Sequence, residues 1–444
     1  MLSHAESMPD SQVVTNSDVI VIGGGLAGKA ASMHLAKAGL KVICIEPSES
    51  TRPPVGESLD WSTGELLKAL GLPMDEVISG EMGTWKRHVI VRLRDGLSRD
   101  FSPFPWFGDA PFHVELRTLH VDRTLLDEKL LQRTIASGVT LVRDKVVRIE
   151  RNGKQVSSVH TASGEQFSSS WFVDASGFAA CLLAREFNLR AVHYGPTKVA
   201  MWTYFSVNDA VDGTTLYSEP CQAEYLDWIW EIPIKPGVIS VGYVTTGESM
   251  KAKREQGLSV EDIFRQKLLR FPRFESILGS EPLSAPNVTS FRSRVYAGTS
   301  GPNWIIVGEA ASMVDPITAN GVTAALRHAA EASQLILKHR KRGSLPLLAR
   351  ICYAMRIQHV AGFFNNGVEK IVYQPPIRNR IGTRHAGAVF VSPAWLMNLA
   401  HARMSPNGVL STFVFSSFLA FFQLCGLIFY RLCKLFSQPA RMPS

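Results

Sequence analysis

Asp18-Val-Ile-Val-Ile-Gly23-Gly24-Gly25-Leu-Ala-Gly28-Lys-Ala-Ala31 is the stretch whose reading decides the fold. Four apolar residues, Val19 to Ile22, run into a Gly-x-Gly-x-x-Gly turn, and an alanine-rich helical pattern follows. That is a strand, a tight turn and a helix N-terminus. Gly23 allows the turn, Gly25 lets backbone approach a pyrophosphate, and Gly28 lets the helix pack close to the strand. The helix N-terminus adds free N–H groups and the positive end of a dipole. A second strand, Lys41 to Ile45, ends at Glu46, 18 residues after Gly28. A carboxylate there can accept hydrogen bonds from a ribose diol. Strand, turn, helix and acid together predict a dinucleotide-binding α/β unit rather than a bare glycine turn.

The chain has 444 residues, room for two or three domains. Its formal charge of +8 is spread along the sequence, with no basic stripe interleaved with aromatics, so nucleic acid is not an expected partner. A cationic surface near an acidic membrane is the preferred reading. Six cysteines (Cys44, Cys181, Cys221, Cys352, Cys425, Cys433) show no C-x-x-C pair and read as thiols in a reducing compartment. The twelve histidines form no ligand cluster, so no metal is expected. Residues 1–16 are polar, without Lys or Arg, and read as a disordered tail rather than a signal peptide.

Working outward, Thr51 to Ser58 is a loop, Leu59–Leu70 reads as a helix closed by Gly71, and His88 to Leu93 is a strand leaving the nucleotide domain. Residues 101–113 are rich in Phe, Trp and Pro and suit a loop lining an apolar cavity, or a plain packed loop. Residues 114–136 carry apolar positions at helical spacing and read as a helix. Gly138 to Val142, Lys145 to Glu150 and Ser158 to His160 read as strands of a small sheet, and Trp171 to Asp174 as another buried strand. Residues 190–290 alternate strongly and read as an antiparallel sheet of a second domain. Trp304 to Pro316 returns to the first domain before a helix over Val322–Leu337.

These readings divide the chain into a nucleotide domain (17–85, 114–189 and 291–340), a substrate domain (86–113 and 190–290), a helical region (341–405) and a tail (406–444). Within the tail, Val409 to Tyr430 holds no charge and one strongly polar side chain, Gln423. That length can cross a hydrocarbon core of about 30 Å, although a buried core helix has the same composition. With no partner helix evident, membrane contact through 409–430 is expected, spanning or lying in one leaflet. Basic residues flank it on both sides, so orientation stays open.

Three separated segments resemble the group A flavoprotein monooxygenases: the glycine fingerprint, the helix with Arg123 and Asp127, and Gly308-Glu309-Ala-Ala with Asp315-Pro316. The resemblance implies FAD, with Gly308, Glu309, Asp315 and Pro316 near its ribityl chain and pyrophosphate. Glu309 stands where that family usually has Asp. More specific is Trp228-Ile-Trp230-Glu-Ile232-Pro233, which resembles the W-x-W-x-I-P motif of flavin-dependent halogenases. A Trp-rich strand is otherwise ordinary packing. Lys86, 30 residues after Gly56 of the Gly-Glu-Ser loop and preceded by Trp85, stands in what looks like the place of the active-site lysine of tryptophan halogenases. A lysine is otherwise a solvated surface group.

The resemblance covers about residues 18–340 and implies a halogenase. Reduced FAD (FADH2) and O2 would oxidise chloride or bromide to hypohalous acid. The halide would sit at Asn320 and Gly321. Trp228, Trp230, Ile232 and Pro233 would shield the flavin face, and Lys86 would pass the acid to an aromatic substrate. The family's carboxylate in the turn after the Pro is replaced here by Thr318, which points away from free tryptophan and toward a phenol or pyrrole, carrier-bound or lipid-like. A separate NAD(P)H-dependent flavin reductase is the expected partner. The expected location is the cytoplasmic side of a membrane. A hydroxylating FAD monooxygenase, an isoprenoid reductase acting at a membrane, and a catalytically silent flavin protein remain alternatives.

Overall fold

The structure, a computed structural model, describes residues 13–14, 17–47, 55–94, 96, 98–101, 117–210, 213–219, 224–381 and 408–436. The aromatic stretch 102–113 and Cys221 lie outside the described residues.

Strand Val19–Ile22 is the middle of a five-stranded parallel sheet in the order Trp304–Ile306, Trp171–Asp174, Val19–Ile22, Val42–Ile45, Thr140–Val142. The strands from 19, 42 and 171 are buried at every position, as continuous apolar runs in a sheet covered on both faces must be. Helix Leu26–Lys37 follows the glycine turn and packs against the long helix Gly321–His339.

The structure corrects several expectations. Thr140–Val142 extends the parallel sheet instead of joining the small one. The helix expected over 114–136 is a strand, Thr118–Val121, followed by helix Arg123–Ala136. Asp122 decides the break: its carboxylate accepts the backbone N–H of Thr124 at 3.0 Å and of Leu125 at 3.3 Å, an N-cap in mid-segment. The helix expected from Leu59 begins at Thr63, because Asp60 accepts the N–H and hydroxyl of Ser62 and holds a turn there. Part of the supposedly disordered tail is ordered, since Val13–Val14 pairs in parallel with Gln166 and Phe167.

The second layer is an eight-stranded mixed sheet in the order Ser312–Met313, Asn287–Tyr296, Ala191–Ser206, Val238–Thr246, Trp228–Lys235, Thr214–Ser218, Val89–Leu93, Ser98–Phe101. Strand Asn287–Tyr296 belongs to it whole, so a domain boundary at 291 cuts through a strand. Along Trp228–Lys235, alternate residues serve two cores. Trp228, Trp230 and Ile232 face one, with Phe364 and Tyr373, while Ile229 faces the other, with Phe264 and Phe274. A two-stranded ribbon, Gly83–Lys86 against Thr118–Val121, bridges the two layers.

The tail also departs from expectation. Its helix, Val409–Leu435, has a partner: it packs lengthwise on helix Leu347–Gly367. Arg356 donates to the Thr412 hydroxyl at 2.7 Å, Gln423 to the His359 carbonyl at 3.2 Å, and Tyr430 to the Gln374 amide oxygen at 2.5 Å. Thr412, Phe415, Ser416 and Leu419 are buried on that side, whereas Leu410, Val414, Phe421, Leu424 and Ile428 stand exposed on the other.

Candidate active site

The glycine turn behaves as its residues require. Gly23 has φ +100°, and a Cβ there would sit 2.4 Å from the Ala175 carbonyl oxygen. A Cβ on Gly28 would lie 1.8 Å from the Gly23 carbonyl oxygen. A Cβ on Gly25 would meet nothing within 4 Å, and Gly25 lines a cavity of about 950 Å³. The Glu46 carboxylate accepts the Gly24 N–H and lines the same cavity. The donor set fits a dinucleotide: a helix N-terminus without acidic residues in its first turn, open space at Gly25, and a carboxylate at the end of the second strand.

Arg123, at the start of its helix, is buried among Asp127, with an ion pair at 3.2 Å, and the Val55 carbonyl. Glu309 lines the cavity, and burial raises its carboxyl above the ordinary value against the pull of Arg123 and Arg294. Pro316 and Gly321 line it too, while Gly23, Gly28, Gly308, Asp315 and Asn320 stand behind the wall. The turn here is a short 3-10 segment, Pro316–Thr318, then Ala319 at φ 53°, then Asn320 and the 19-residue helix Gly321–His339, whose first N–H groups the Asn320 side chain does not cap. The turn's own N–H groups are engaged, Thr318 with the Asp315 carbonyl, Ala319 with the Pro316 carbonyl and Asn320 with the Thr318 hydroxyl. The first-turn N–H groups of the helix from Gly321 have no intrahelical acceptor and are of the kind that receives an anion.

Trp228, Trp230 and Ile232 line the cavity opposite, whereas Pro233 is behind them and accepts the Thr84 hydroxyl on its carbonyl. The two indoles are 5.7 Å apart and inclined at 46°. Trp228 donates to the Tyr373 hydroxyl at 2.7 Å and Trp230 to the Ser240 hydroxyl at 3.1 Å, so both rings are fixed at their edges. Gly242 lets the Trp230 ring lie flat on the neighbouring strand, since a Cβ there would come within 2.1 Å of the ring.

Lys86 ends the ribbon strand and is 4% exposed. Its ammonium donates to the Leu59 carbonyl at 2.8 Å, sits 5.5 Å from the centre of the Trp61 ring, and lines the cavity. Burial brings its pKa down to about 8, against the attraction of Asp60. Thus three segments far apart in sequence, at 24–46, 86 and 228–232, meet on one cavity.

Sequence reasoning missed several residues. Glu57, beside Gly56, lines the cavity, and burial lifts its carboxyl to about 7 despite hydrogen bonds with Ser240 and Tyr204. Lys198 is fully buried between Asp315 at 3.1 Å and Glu369 at 3.4 Å. Tyr373 donates to the other Asp315 oxygen at 2.9 Å, and Tyr225 to Glu369 at 2.7 Å. The network ties the Asp315-Pro316 turn and the Trp228 strand to the C-terminal helices. Lys198 and Glu369 carried no motif, and neither flanking sequence sets it apart.

A family model described as tryptophan halogenase matches residues 112–342, more than half of the chain, and one described as lycopene cyclase protein matches residues 18–202. The chain belongs to the tryptophan halogenase family, flavin-dependent enzymes that work with FAD, O2 and a halide. It is 27% identical over 356 residues to flavin-dependent halogenase armH5 of Armillaria mellea, covering 75% of this chain and 67% of that one. To 1H-pyrrole-2-carbonyl-(peptidyl-carrier protein) chlorinase of Pseudomonas fluorescens it is 25% identical over 393 residues, covering 79% and 81%. The chain spans about two thirds of the length of the Armillaria halogenases it matches. A solved structure of a triple mutant of the flavin-dependent brominase Bmp2 is similar with a TM-score of 0.72 at 19% identity, over 92% of this chain and 100% of that one, which shows the fold.

Proposed function

We propose that this chain is an FAD-dependent halogenase that delivers hypohalous acid, through Lys86, to an electron-rich aromatic of phenol or pyrrole type. The observation that carries the reading is the buried Lys86 ammonium on the cavity that Gly24, Gly25, Trp228 and Trp230 also line. Reduced FAD with O2 supplies, when bound, the oxidation of chloride or bromide to hypohalous acid. Gly23, Gly25 and Gly28 shape the pyrophosphate seat, with Glu46 on the ribose, and Arg123, Glu309 and Pro316 close it. The first turn of helix Gly321–His339 holds the halide at Gly321, and Asn320 supports that turn from behind the wall. Trp228 and Trp230 would cover the flavin side of the cavity against a bulky organic substrate. Lys86, a compact cation on a fixed strand, holds the acid next to the aromatic carbon.

Thr318 lines the cavity where a carboxylate would help an indole, and its hydroxyl donates to the Asp315 carbonyl at 2.8 Å. An aromatic that is activated already suits this wall. A relative named for a carrier-bound pyrrole supports the class, and a carrier-tethered substrate is compatible with it. Reducing power comes from a separate NAD(P)H-dependent flavin reductase. The exposed apolar face of helix Val409–Leu435, with Arg431 and Lys434 in its C-terminal turns, lies on the cytoplasmic side of a membrane, parallel to it rather than across it, because the opposite face is bonded to the protein body.

A reductase or cyclase reaction on a membrane isoprenoid is the second reading, favoured by the lycopene cyclase match and the apolar helix. The test is incubation with a flavin reductase, NADH, FAD, O2 and chloride or bromide, with monochlorodimedone, phenol and pyrrole-2-carboxamide as acceptors. Mass spectrometry then reads halogen incorporation. Absence of any halogenated product with both halides overturns the halogenase reading.

A further inference from the structure

Beside Lys86, a line of hydrogen bonds runs from the cavity wall into the protein. Ser58 and Thr214 line the cavity, and their hydroxyls are 2.8 Å apart. Thr214 Oγ1 is 2.9 Å from His120 Nε2, and His120 Nδ1 is 3.3 Å from Thr84 Oγ1. The Thr84 hydroxyl is bonded to the Pro233 carbonyl. His120 itself is fully buried.

The direction of the line follows from its far end. A carbonyl can only accept, so the Thr84 proton points at Pro233. Thr84 oxygen must then accept from His120, which places the imidazole proton on Nδ1. Nε2 is therefore the bare nitrogen, and it accepts from Thr214, which accepts in turn from Ser58. The whole line is set to take a proton inward. It begins where Lys86 works: Lys86 donates to the carbonyl of Leu59, the residue after Ser58, and Ser58 bridges directly to His120 on the neighbouring strand. Burial and the Lys86 charge both push the imidazole well below its ordinary pKa, which keeps it neutral but makes it a weak base; a weak base suffices for the strongly acidic proton on a halogenated ring cation.

Substitution at an aromatic carbon needs such an acceptor. Other bases around Lys86 are engaged. The Asp60 Oδ1 oxygen accepts the Ser62 N–H at 2.9 Å and hydroxyl at 2.7 Å. Glu57 is bonded to Ser240 and Tyr204, on the Trp230 side, and position 318 is a threonine. We propose that His120, acting through the Thr214 hydroxyl, is the acceptor for the proton that the aromatic carbon loses on halogenation. This rests on the halogenase reading above.

The step balances. The halogen of HOX bonds to the ring carbon, and the electron pair of the X–O bond leaves with hydroxide. The C–H bond then breaks and its electron pair restores the aromatic ring. That proton goes to the Thr214 oxygen as the Thr214 proton passes to His120 Nε2. The imidazolium returns it to the released hydroxide, so the sum is ArH + HOX → ArX + H2O. His120 touches no substrate; it orients the Thr214 hydroxyl and takes the proton only through it.

The test compares full-length protein with Thr214→Val, Thr214→Ser and His120→Gln. The probes are phenol and pyrrole-2-carboxamide and their ring-deuterated forms, whichever the unmodified protein halogenates. In the unmodified protein the C–H step is fast and the isotope effect on product formation is expected near 1. Thr214→Val is expected to slow product formation by about 10- to 100-fold and to raise the isotope effect to about 2 or more, while flavin oxidation continues. Thr214→Ser keeps the hydroxyl and restores both. Thr214→Val is nearly isosteric, so it decides the matter if His120→Gln fails to fold. An unchanged rate, or a slower rate with the isotope effect still near 1, overturns the proposal. If the unmodified protein halogenates neither probe, nor monochlorodimedone, with either halide, the halogenase reading has failed and the relay falls with it.

Discussion

Replacing Lys86 by Met tests the centre of the reading in two independent ways. Methionine is unbranched and of similar length, so it fills the same space without the charge. Lys86 is 4% exposed, and its pKa falls from 10.5 to about 8 mainly by burial. That fall corresponds to about 3 kcal/mol of penalty for the charged form. The sign follows from which state holds the proton. Below pH 8 both folded and unfolded chains carry the charge, and the folded chain bears the whole penalty. Between pH 8 and 10.5 the folded chain gives up its proton first, so the penalty shrinks, and above 10.5 it is gone. The stability of Lys86→Met relative to the parent should therefore decline by about 3 kcal/mol as pH rises from 8 to 10.5. At fixed pH the Leu59 carbonyl loses its donor, which costs about 1–3 kcal/mol and offsets part of the gain. Urea unfolding of both proteins at a series of pH values reads the difference. In parallel, halogenation of phenol should drop at least about 100-fold, while FAD retention and peroxide release persist. A pH-independent stability difference would show that the ammonium is not buried as described. Retained halogenation would remove Lys86 from its role.

Gly25→Ala meets open space and Gly28→Ala meets the Gly23 carbonyl oxygen at 1.8 Å. Gly25→Ala should thus fold normally but bind FAD weakly by absorbance titration, whereas Gly28→Ala should lose thermal stability as well. Glu57→Gln removes a carboxyl that burial raises from 4.5 to about 7. The folded parent holds that proton up to pH 7 and the unfolded chain only to 4.5, so the parent loses stability across this window. The variant should gain about 3 kcal/mol on it from pH 4.5 to 7 in denaturant titrations. Lys198→Met leaves Asp315 and Glu369 buried without their cation and should cost about 3–5 kcal/mol of unfolding free energy. Phe421→Glu with Leu424→Glu, on the exposed face of the tail helix, should abolish co-sedimentation with anionic lipid vesicles at unchanged melting temperature. Deleting 406–444 is the poorer test, because it uncovers Arg356, Val360 and Phe363 on the partner helix.

The nucleotide end of the site was readable from Val19 to Glu46, because its function depends on local backbone: a turn only glycine allows and a strand that ends in an acid. Trp228, Trp230 and Lys86 were readable by resemblance, since a motif preserves spacing. Helix starts were less readable. Asp122 and Asp60 end or delay helices through single side-chain bonds that helical spacing of apolar residues does not reveal.

Sequence by itself therefore determined the strand, glycine turn and helix from Val19 to Lys37, the tryptophan strand and an apolar tail. Tertiary structure alone decided that Lys86, Trp230 and Gly25 share one cavity, and that the tail helix lies along the body. It also decided that His120 meets Thr214, a partner 94 positions away. The physical reason is range: turns, caps and alternation are set by neighbours in the chain, whereas burial, proton affinity and the direction of a hydrogen bond are set by whatever the fold brings alongside.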